Sequence, residues 1–238
     1  MLQKVKLENI LFLDIETVAQ QPEFSKLSDD FKAHWEHKAN FIGKEEETPE
    51  DVYGRAGIYS EFGKIVCISV GFINIESGKK TLRLKSFAND DERILITDFF
   101  ELLNKHYNFK DALLCAHNGK EFDFPYIARR ALVNGIDIPE ILDLAGKKPW
   151  EVNHLDTLQL WKFGDYKHYT SLSLLTTIFN IPTPKDDIDG SMVNDVYWKD
   201  KDLKRIAVYC EKDVIALTQL FLRFRNEALI DTENIIIS

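Results

Sequence analysis

Short apolar runs and amphipathic stretches alternate along the chain, and this pattern predicts an α/β fold. Apolar or β-branched runs of strand length lie at residues 10–13, 64–73, 81–86, 112–116 and 153–157. Elsewhere apolar residues recur every three or four positions, which predicts helices at about residues 90–105, 122–134, 172–180 and 200–225. This order predicts a mixed five-stranded sheet flanked by helices, with a hairpin first and right-handed crossovers after it.

One long segment separates the first two predicted strands. It holds a polar, helix-compatible stretch at residues 23–40, followed by the acidic run KEEETPEDVYGRAG. Connections this long are usually functional or mobile. We therefore expect a single domain over residues 1–238 with an insertion at about residues 18–62.

Composition and charge narrow the class of protein. Of the 238 residues, 45% are hydrophobic and 29% are charged, which is typical of a globular domain. No run approaches the ~20 apolar residues of a membrane span, so we expect a cytoplasmic protein without a membrane partner. The net charge of −9 argues against a protein that coats duplex nucleic acid. It is compatible with a nuclease, because bound divalent cations can attract phosphate to a carboxylate-rich site.

The cysteines and histidines do not form a recognisable metal or disulfide pattern. Cys67, Cys115 and Cys210 are far apart, lie in apolar contexts and lack CxxC spacing, so we predict reduced core side chains. His34 and His37 lie among polar residues, which favours a solvated helix face over a zinc site.

Asp14 and Glu16 form the first candidate site. Asp-x-Glu occurs three times in the chain, and only this copy follows a predicted buried strand. Side chains at i and i+2 of a strand point to the same face, where two carboxylates raise each other's pKa. A bound cation would stabilise such a pair, and a solvated strand end is the alternative.

Two further segments carry candidate carboxylates. Asn118 and Asp123 follow the predicted strand at residues 112–116, at a position where α/β proteins bind ligands; alternatively, Asp123 caps the next helix. Tyr209 and Asp213 share one face of the last predicted helix, beside its apolar stripe. A carboxylate there is costly to bury unless it is paired or binds a metal, and a capped or salt-bridged Asp213 is the alternative.

In their order and contexts, the three segments resemble the motifs of the DEDD family of 3′–5′ exonucleases. The segments are LFLDIET, AHNGKEFDFPYI and YCEKDV. The chain looks most like the branch related to the proofreading domain of family-B DNA polymerases, and the resemblance spans about residues 10–225. Tyr209 is typical of the tyrosine-bearing subgroup, since the other subgroup has His where this chain has Val208.

The resemblance implies a ribonuclease-H-like fold and a metal-dependent nuclease. It implies that two Mg²⁺ or Mn²⁺ ions bind Asp14, Glu16, Asp123 and Asp213, and that Tyr209 orients the attacking water. The candidate substrate contacts are Thr17, Asn118, Phe122 and Lys167. For Phe122, core packing is the alternative. The expected partner is the 3′ end of single-stranded nucleic acid, and DNA is the polymer expected first. An RNA or oligoribonucleotide exonuclease and a non-catalytic nucleic-acid-binding module are the alternatives.

Overall fold

A six-stranded mixed sheet forms the centre of the protein. The computed structural model describes residues 2–165, 169–182 and 188–237. Neighbouring strands follow the order β5-β4-β1-β2-β3-β6, and their bounds are β1 Ile10–Ala19, β2 Gly63–Glu76, β3 Lys79–Ala88, β4 Leu113–Ala116, β5 Leu155–Asp156 and β6 Ile235–Ile237. The β1–β2 and β2–β3 pairs are antiparallel, and the other three pairs are parallel. The predicted α/β class and mixed sheet are confirmed.

The sequence predicted five strands, and the structure has a sixth. Residues 235–237 pair in parallel with residues 82–84 of β3 and extend the sheet by one edge strand. Three consecutive isoleucines are too few to establish a strand periodicity on their own. The exposed edge of β3 decides their conformation, because it offers backbone groups to pair with.

Helices cover both faces of the sheet. The α-helices of the described residues are α1 Asp29–Ile42, α2 Glu92–His106, α3 Asp123–Val133, α4 Thr157–Lys162, α5 Leu172–Ile178, α6 Val193–Asp195 and α7 Leu203–Phe224. The four predicted amphipathic helices correspond to α2, α3, α5 and α7. Among the described residues, no helix combines the length and apolarity needed to cross a bilayer.

Strand β1 separates two apolar cores. Alternate residues of a strand point to opposite faces, and here Leu11, Leu13 and Ile15 pack on the side of α2 and α3. Ile10 and Phe12 pack on the opposite side, together with the α7 residues Val214, Leu217 and Phe221. Continuing the alternation, Asp14 and Glu16 belong to the α7 face of the sheet.

Strand β1 is longer than the predicted run at residues 10–13, so Asp14 and Glu16 lie within the strand and not at its end. Strand β2 pairs with β1 as far as Ala19, with a register shift between Glu16 and Thr17. Strand β4 pairs only with residues 10–12. From Leu13 onward, β4 therefore no longer covers that edge of β1, and the candidate carboxylates begin there.

Helix α3 is held against the sheet by a buried ion pair. Arg130 Nη2 lies 2.6 Å from Glu92 Oε2 of α2. Glu92 Oε1 also accepts a hydrogen bond from the Ile65 backbone of β2, and Arg130 Nη1 donates to Ser60 O. A buried pair with its other polar atoms satisfied is strongly destabilised when one partner is removed. These contacts therefore set the position of α3, which carries Asp123.

The segment between β1 and β2 has an aromatic core of its own. Trp35 of α1 is buried against Tyr53 and Phe62, and its Nε1 donates to Pro49 O at 2.8 Å. A 3₁₀ helix, Tyr53–Ile58, ends the segment beside β1. That residues 18–62 are an insertion in a single domain remains a prediction.

Candidate active site

The first and third predicted segments meet on the α7 face of the sheet. Asp14 and Glu16 extend from β1 toward α7, which carries Tyr209, Cys210 and Asp213. Cys210 Sγ lies 3.4 Å from Asp14 Oδ2, and the charge of Asp213 acts on both Asp14 and Glu16. The fold thus brings together side chains that are almost 200 residues apart in the chain.

Asp123 joins this group from the opposite side of β1. It is 3% exposed and is the first residue of α3. Its carboxylate accepts hydrogen bonds from its own backbone N–H and from the backbone N–H of Ile15, the residue between Asp14 and Glu16. The capping alternative for Asp123 is wrong, because Phe122 occupies the N-cap position and α3 has no side-chain cap.

Burial and mutual repulsion raise the pKa values of these carboxyl groups. The pKa of Asp14 is well above its ordinary value, first because of burial and then because of Asp213 and Asp123. For Glu16 the causes are burial, then Asp14 and Asp213. Burial raises the pKa of Asp123 to about 7, against the opposing effect of its backbone hydrogen bonds. Each group therefore resists ionisation unless positive charge is supplied nearby.

The carboxylates of Asp14 and Glu16 fit a hard divalent cation. One ligand atom from each of Asp14, Glu16 and Cys210 lies within 4.8 Å of the others. Within the described residues, no salt bridge joins Asp14, Glu16 or Asp123 to a lysine or arginine. Carboxylate oxygens are the ligands that Mg²⁺ and Mn²⁺ prefer, so a bound cation would relieve the repulsion that raises these pKa values.

Tyr209 is half-buried beside the carboxylates. Burial raises its pKa, and so do the neighbouring charge of Asp213 and a hydrogen bond to that residue. The phenol therefore stays protonated at neutral pH and is a hydrogen-bond donor. This position agrees with the predicted face of α7, on which residues i and i+4 lie together.

Asp156 organises the loop that leads to Asp123, and no motif in the sequence marks it as a site residue. The side chain is 2% exposed and caps α4 by accepting from the backbone of Leu158 and Gln159. It also accepts from the backbone N–H groups of Asn118 and Lys120. The sequence signal was an Asp followed by a helical stretch, a typical N-cap. Its second role across the loop was not visible in the sequence.

His117 supports the same loop. Its Nδ1 lies 2.9 Å from Thr157 Oγ1, and its Nε2 lies 2.9 Å from Thr170 O. Tyr169 packs edge-on against His117. The pKa of Tyr169 is raised by burial and then by the charges of Asp123 and Asp14, so Tyr169 lies within electrostatic range of these carboxylates.

The other predicted substrate contacts, Thr17, Asn118 and Phe122, differ in their local contacts. Thr17 Oγ1 donates to Gly57 O at 2.8 Å, and Asn118 has a left-handed backbone with φ 67°. Phe122 is half-buried and packs against Tyr126, with ring centroids 5.3 Å apart. Packing therefore accounts for much of the Phe122 ring. Lys167 lies outside the described residues.

The minor predictions agree with the structure. Cys67, Cys115 and Cys210 are free and buried, and His34 and His37 are exposed on α1. Cys210 is nevertheless more than a core residue, because it touches Asp14.

Comparison with known proteins identifies a family that the chain matches. A family model described as "Predicted 3'-5' exonuclease related to the exonuclease domain of PolB" matches residues 58–234. This stretch includes Asn118, Asp123, Tyr209 and Asp213. Asp14 and Glu16 precede it in sequence, and the pairing of β1 with β2 brings them to the same site.

The fold is similar to that of a family B DNA polymerase from the hyperthermophilic archaeon Pyrobaculum calidifontis. The TM-score is 0.51 and the identity is 16%, over 90% of this chain and 24% of the polymerase chain. The chain thus spans about a quarter of that polymerase, and the predicted ribonuclease-H-like fold is confirmed. Since the family model covers well over half of the residues, the chain belongs to the family of predicted 3′–5′ exonucleases related to the exonuclease domain of PolB.

Proposed function

We propose that the chain is a divalent-metal-dependent 3′–5′ exonuclease that removes nucleotides from the 3′ end of single-stranded nucleic acid, with DNA as the first candidate. The observation that carries this proposal is the convergence of Asp14, Glu16, Asp123, Asp213 and Tyr209 from two helices and one strand. Membership of the exonuclease family supports it.

The carboxylates would divide the metal binding between them. Asp14, Glu16 and Asp213 would hold one Mg²⁺ or Mn²⁺ ion, and Asp14 and Asp123 would hold a second. When bound, two such ions stabilise the attacking and leaving oxygens of an in-line displacement at phosphorus. The hydrogen bond from the Ile15 backbone would keep the Asp123 carboxylate at a fixed position beside β1.

Tyr209 would orient the attacking water through its phenol group. Its raised pKa makes it a poor general base at neutral pH, so its contribution is alignment. Thr17 and Asn118 would contact the terminal nucleotide, and the exposed part of Phe122 would stack on a base. Contacts of this kind carry little base-edge recognition, so we expect weak sequence preference.

The test is a digest of matched 5′-labelled DNA and RNA oligonucleotides, with free or blocked 3′ ends, in Mg²⁺, Mn²⁺ or EDTA. We expect a ladder of products from the free 3′ end that requires metal and is faster on DNA. Asp14→Asn should abolish it, whereas Asp98→Asn, a change to an exposed carboxylate on α2, should leave it unchanged.

Two results would overturn the proposal. Cleavage of the 3′-blocked substrate as fast as the free one would exclude exonuclease polarity. Absence of degradation by the wild-type protein, with Mn²⁺ affinity equal to that of Asp14→Asn, would indicate a non-catalytic module. Faster digestion of RNA would change only the preferred polymer.

A further inference from the structure

Cys210 occupies a central position in the carboxylate cluster without being one of its carboxylates. It lies on α7 between Tyr209 and Asp213, and its exposure is 0%. Its Sγ lies 3.4 Å from the backbone oxygen of Asp14 and 3.4 Å from Asp14 Oδ2. A thiol donates one proton and both of these oxygens accept. Cys210 is therefore a direct hydrogen-bond link between α7 and the first metal-site residue of β1.

The other side of the sulfur packs against β2. Cys67 of β2 lies in the same buried cluster as Cys210, and Cys67 Sγ lies 3.7 Å from Ser69 Oγ. Ser69 Oγ lies 2.8 Å from Ser86 Oγ of β3, which in turn donates to Glu211 Oε1 at 2.8 Å. These hydrogen bonds connect β2 and β3 to α7 at the residue that follows Cys210.

The donor directions in these hydrogen bonds follow from the single proton on each hydroxyl or thiol. Ser86 donates to Glu211, so in the Ser69–Ser86 contact the proton comes from Ser69. Cys67 must then donate to Ser69. None of these contacts uses the proton of Cys210, and the Cys210 thiol donates to Asp14.

We propose that Cys210 is a positioning residue. Its thiol keeps the Asp14 carboxylate in the orientation that binds metal, and it keeps α7 in position against β1. This inference rests on the proposed function. Asp14, Glu16 and Asp213 repel one another before a cation binds, and a neutral donor on Asp14 opposes rotation of its side chain away from the others. Partners that orient a metal ligand affect metal affinity without binding the metal themselves.

The chain offers matched variants for a test. Cys210→Ala removes the donor, and Cys210→Ser keeps a donor on a shorter bond. Cys115→Ala is the control, because Cys115 is equally buried but lies in β4 within the apolar core. For each, Mn²⁺ affinity is measured by calorimetric titration, with kcat and KM on a single-stranded DNA oligonucleotide and the thermal unfolding midpoint alongside.

We expect Cys210→Ala to bind Mn²⁺ about 10-fold or more weakly and to lose kcat by a similar factor, with little change in KM. Cys210→Ser should recover most of the affinity. Cys115→Ala should retain the wild-type affinity and kcat even where its unfolding midpoint falls. If Cys210→Ala does not fold, the Cys210→Ser variant decides, since it should remain within about 3-fold of the wild type in Mn²⁺ affinity.

Three results would overturn the inference. Wild-type Mn²⁺ affinity in Cys210→Ala would show that the thiol positions nothing. An equal loss in Cys115→Ala would assign the effect to packing. A loss in Cys210→Ser as large as in Cys210→Ala, with a thiolate-to-metal absorption band when Cd²⁺ is added to the wild type, would make Cys210 a direct ligand. If the wild type binds no Mn²⁺ and degrades no oligonucleotide, the proposed function itself fails.

Discussion

The carboxylate of Asp156 accepts a hydrogen bond from the backbone N–H of Asn118 at 3.0 Å. The two residues lie on neighbouring parallel strands or just beyond them, at the edge of the sheet where the candidate site forms. One buried side chain thus caps α4 and also fixes the loop that leads into α3. The position of Asp123 depends on this loop, so residues without contact to a metal are expected to affect activity.

Replacing Asp156 with Ala should reduce both stability and kcat. The change removes an N-cap and leaves the partly buried backbone donors of Asn118 and Lys120 without their acceptor. We expect the free energy of unfolding to fall by about 2–4 kcal/mol, measured by urea denaturation. Asp91→Ala is the control, because Asp91 also caps a helix, α2, by accepting from the backbone N–H groups of Arg93 and Ile94. It should cost about 1 kcal/mol with full activity. A wild-type kcat in Asp156→Ala would contradict this role.

Gly57 and Gly54 form a second matched pair, in the 3₁₀ helix beside β1. A Cβ at Gly57 would lie 2.9 Å from the Val18 backbone, whereas a Cβ at Gly54 would meet nothing within 4 Å. Gly57 O also accepts from Thr17 and Tyr126. We expect Gly57→Ala to lose about 1–3 kcal/mol of stability and to lower kcat by displacing Thr17, with Gly54→Ala near the wild type. Equal thermal unfolding midpoints for the two variants would refute this prediction.

The metal-free protein should lose stability as the pH rises. Asp123 has a folded-state pKa of about 7, above the ordinary value of about 3.9. Its contribution to folding is therefore complete below pH ~4 and disappears as the pH rises through about 7. In EDTA, we expect the thermal unfolding midpoint of the wild type to fall between pH 5 and 8 relative to that of Asp123→Asn, whose side chain does not titrate.

Bound metal should reverse the order of stability of the wild type and Asp123→Asn, because the ions bind the ionised carboxylates. At a Mn²⁺ concentration 100 times the dissociation constant, the wild type should gain about 2.7 kcal/mol, and Asp123→Asn should gain less. Thermal unfolding at pH 8 with and without Mn²⁺ measures both effects. A difference between the two proteins that does not vary with pH would show that Asp123 is not the titrating group.

Replacing Tyr209 with Phe should separate alignment from metal binding. The phenol is a donor with a raised pKa, so its loss removes orientation of the water and leaves the carboxylates in place. We expect kcat to fall about 10- to 100-fold while Mn²⁺ affinity stays unchanged. The alkaline limb of the pH–rate profile should also remain, since Tyr209 does not titrate in that range. Disappearance of that limb in Tyr209→Phe would identify the tyrosine as a general base.

The residues of the candidate site could be proposed from the sequence by their types and order, and the residues that support them could not. Asp14, Glu16, Asp123, Tyr209 and Asp213 each belong to a segment whose local pattern could be interpreted. Asp156 and Cys210 could not be found in the same way. An N-cap and a buried cysteine are common features, and their roles depend on which loop or carboxylate the fold places beside them.

Periodicity along the chain was sufficient for the α/β class, the main helices and the five predicted strands, because alternation and three-to-four spacing are local properties. The carboxylate motifs likewise indicated a nuclease-like site before any fold was known. Tertiary structure alone decided that β1 continues through Asp14 and Glu16, since β2 supplies its pairing partner from some fifty residues away. It also decided the short strand β6 and the contact between Cys210 and Asp14. Such features depend on which backbone and side-chain groups meet across the sheet, and the pattern of neighbouring residues does not contain that information.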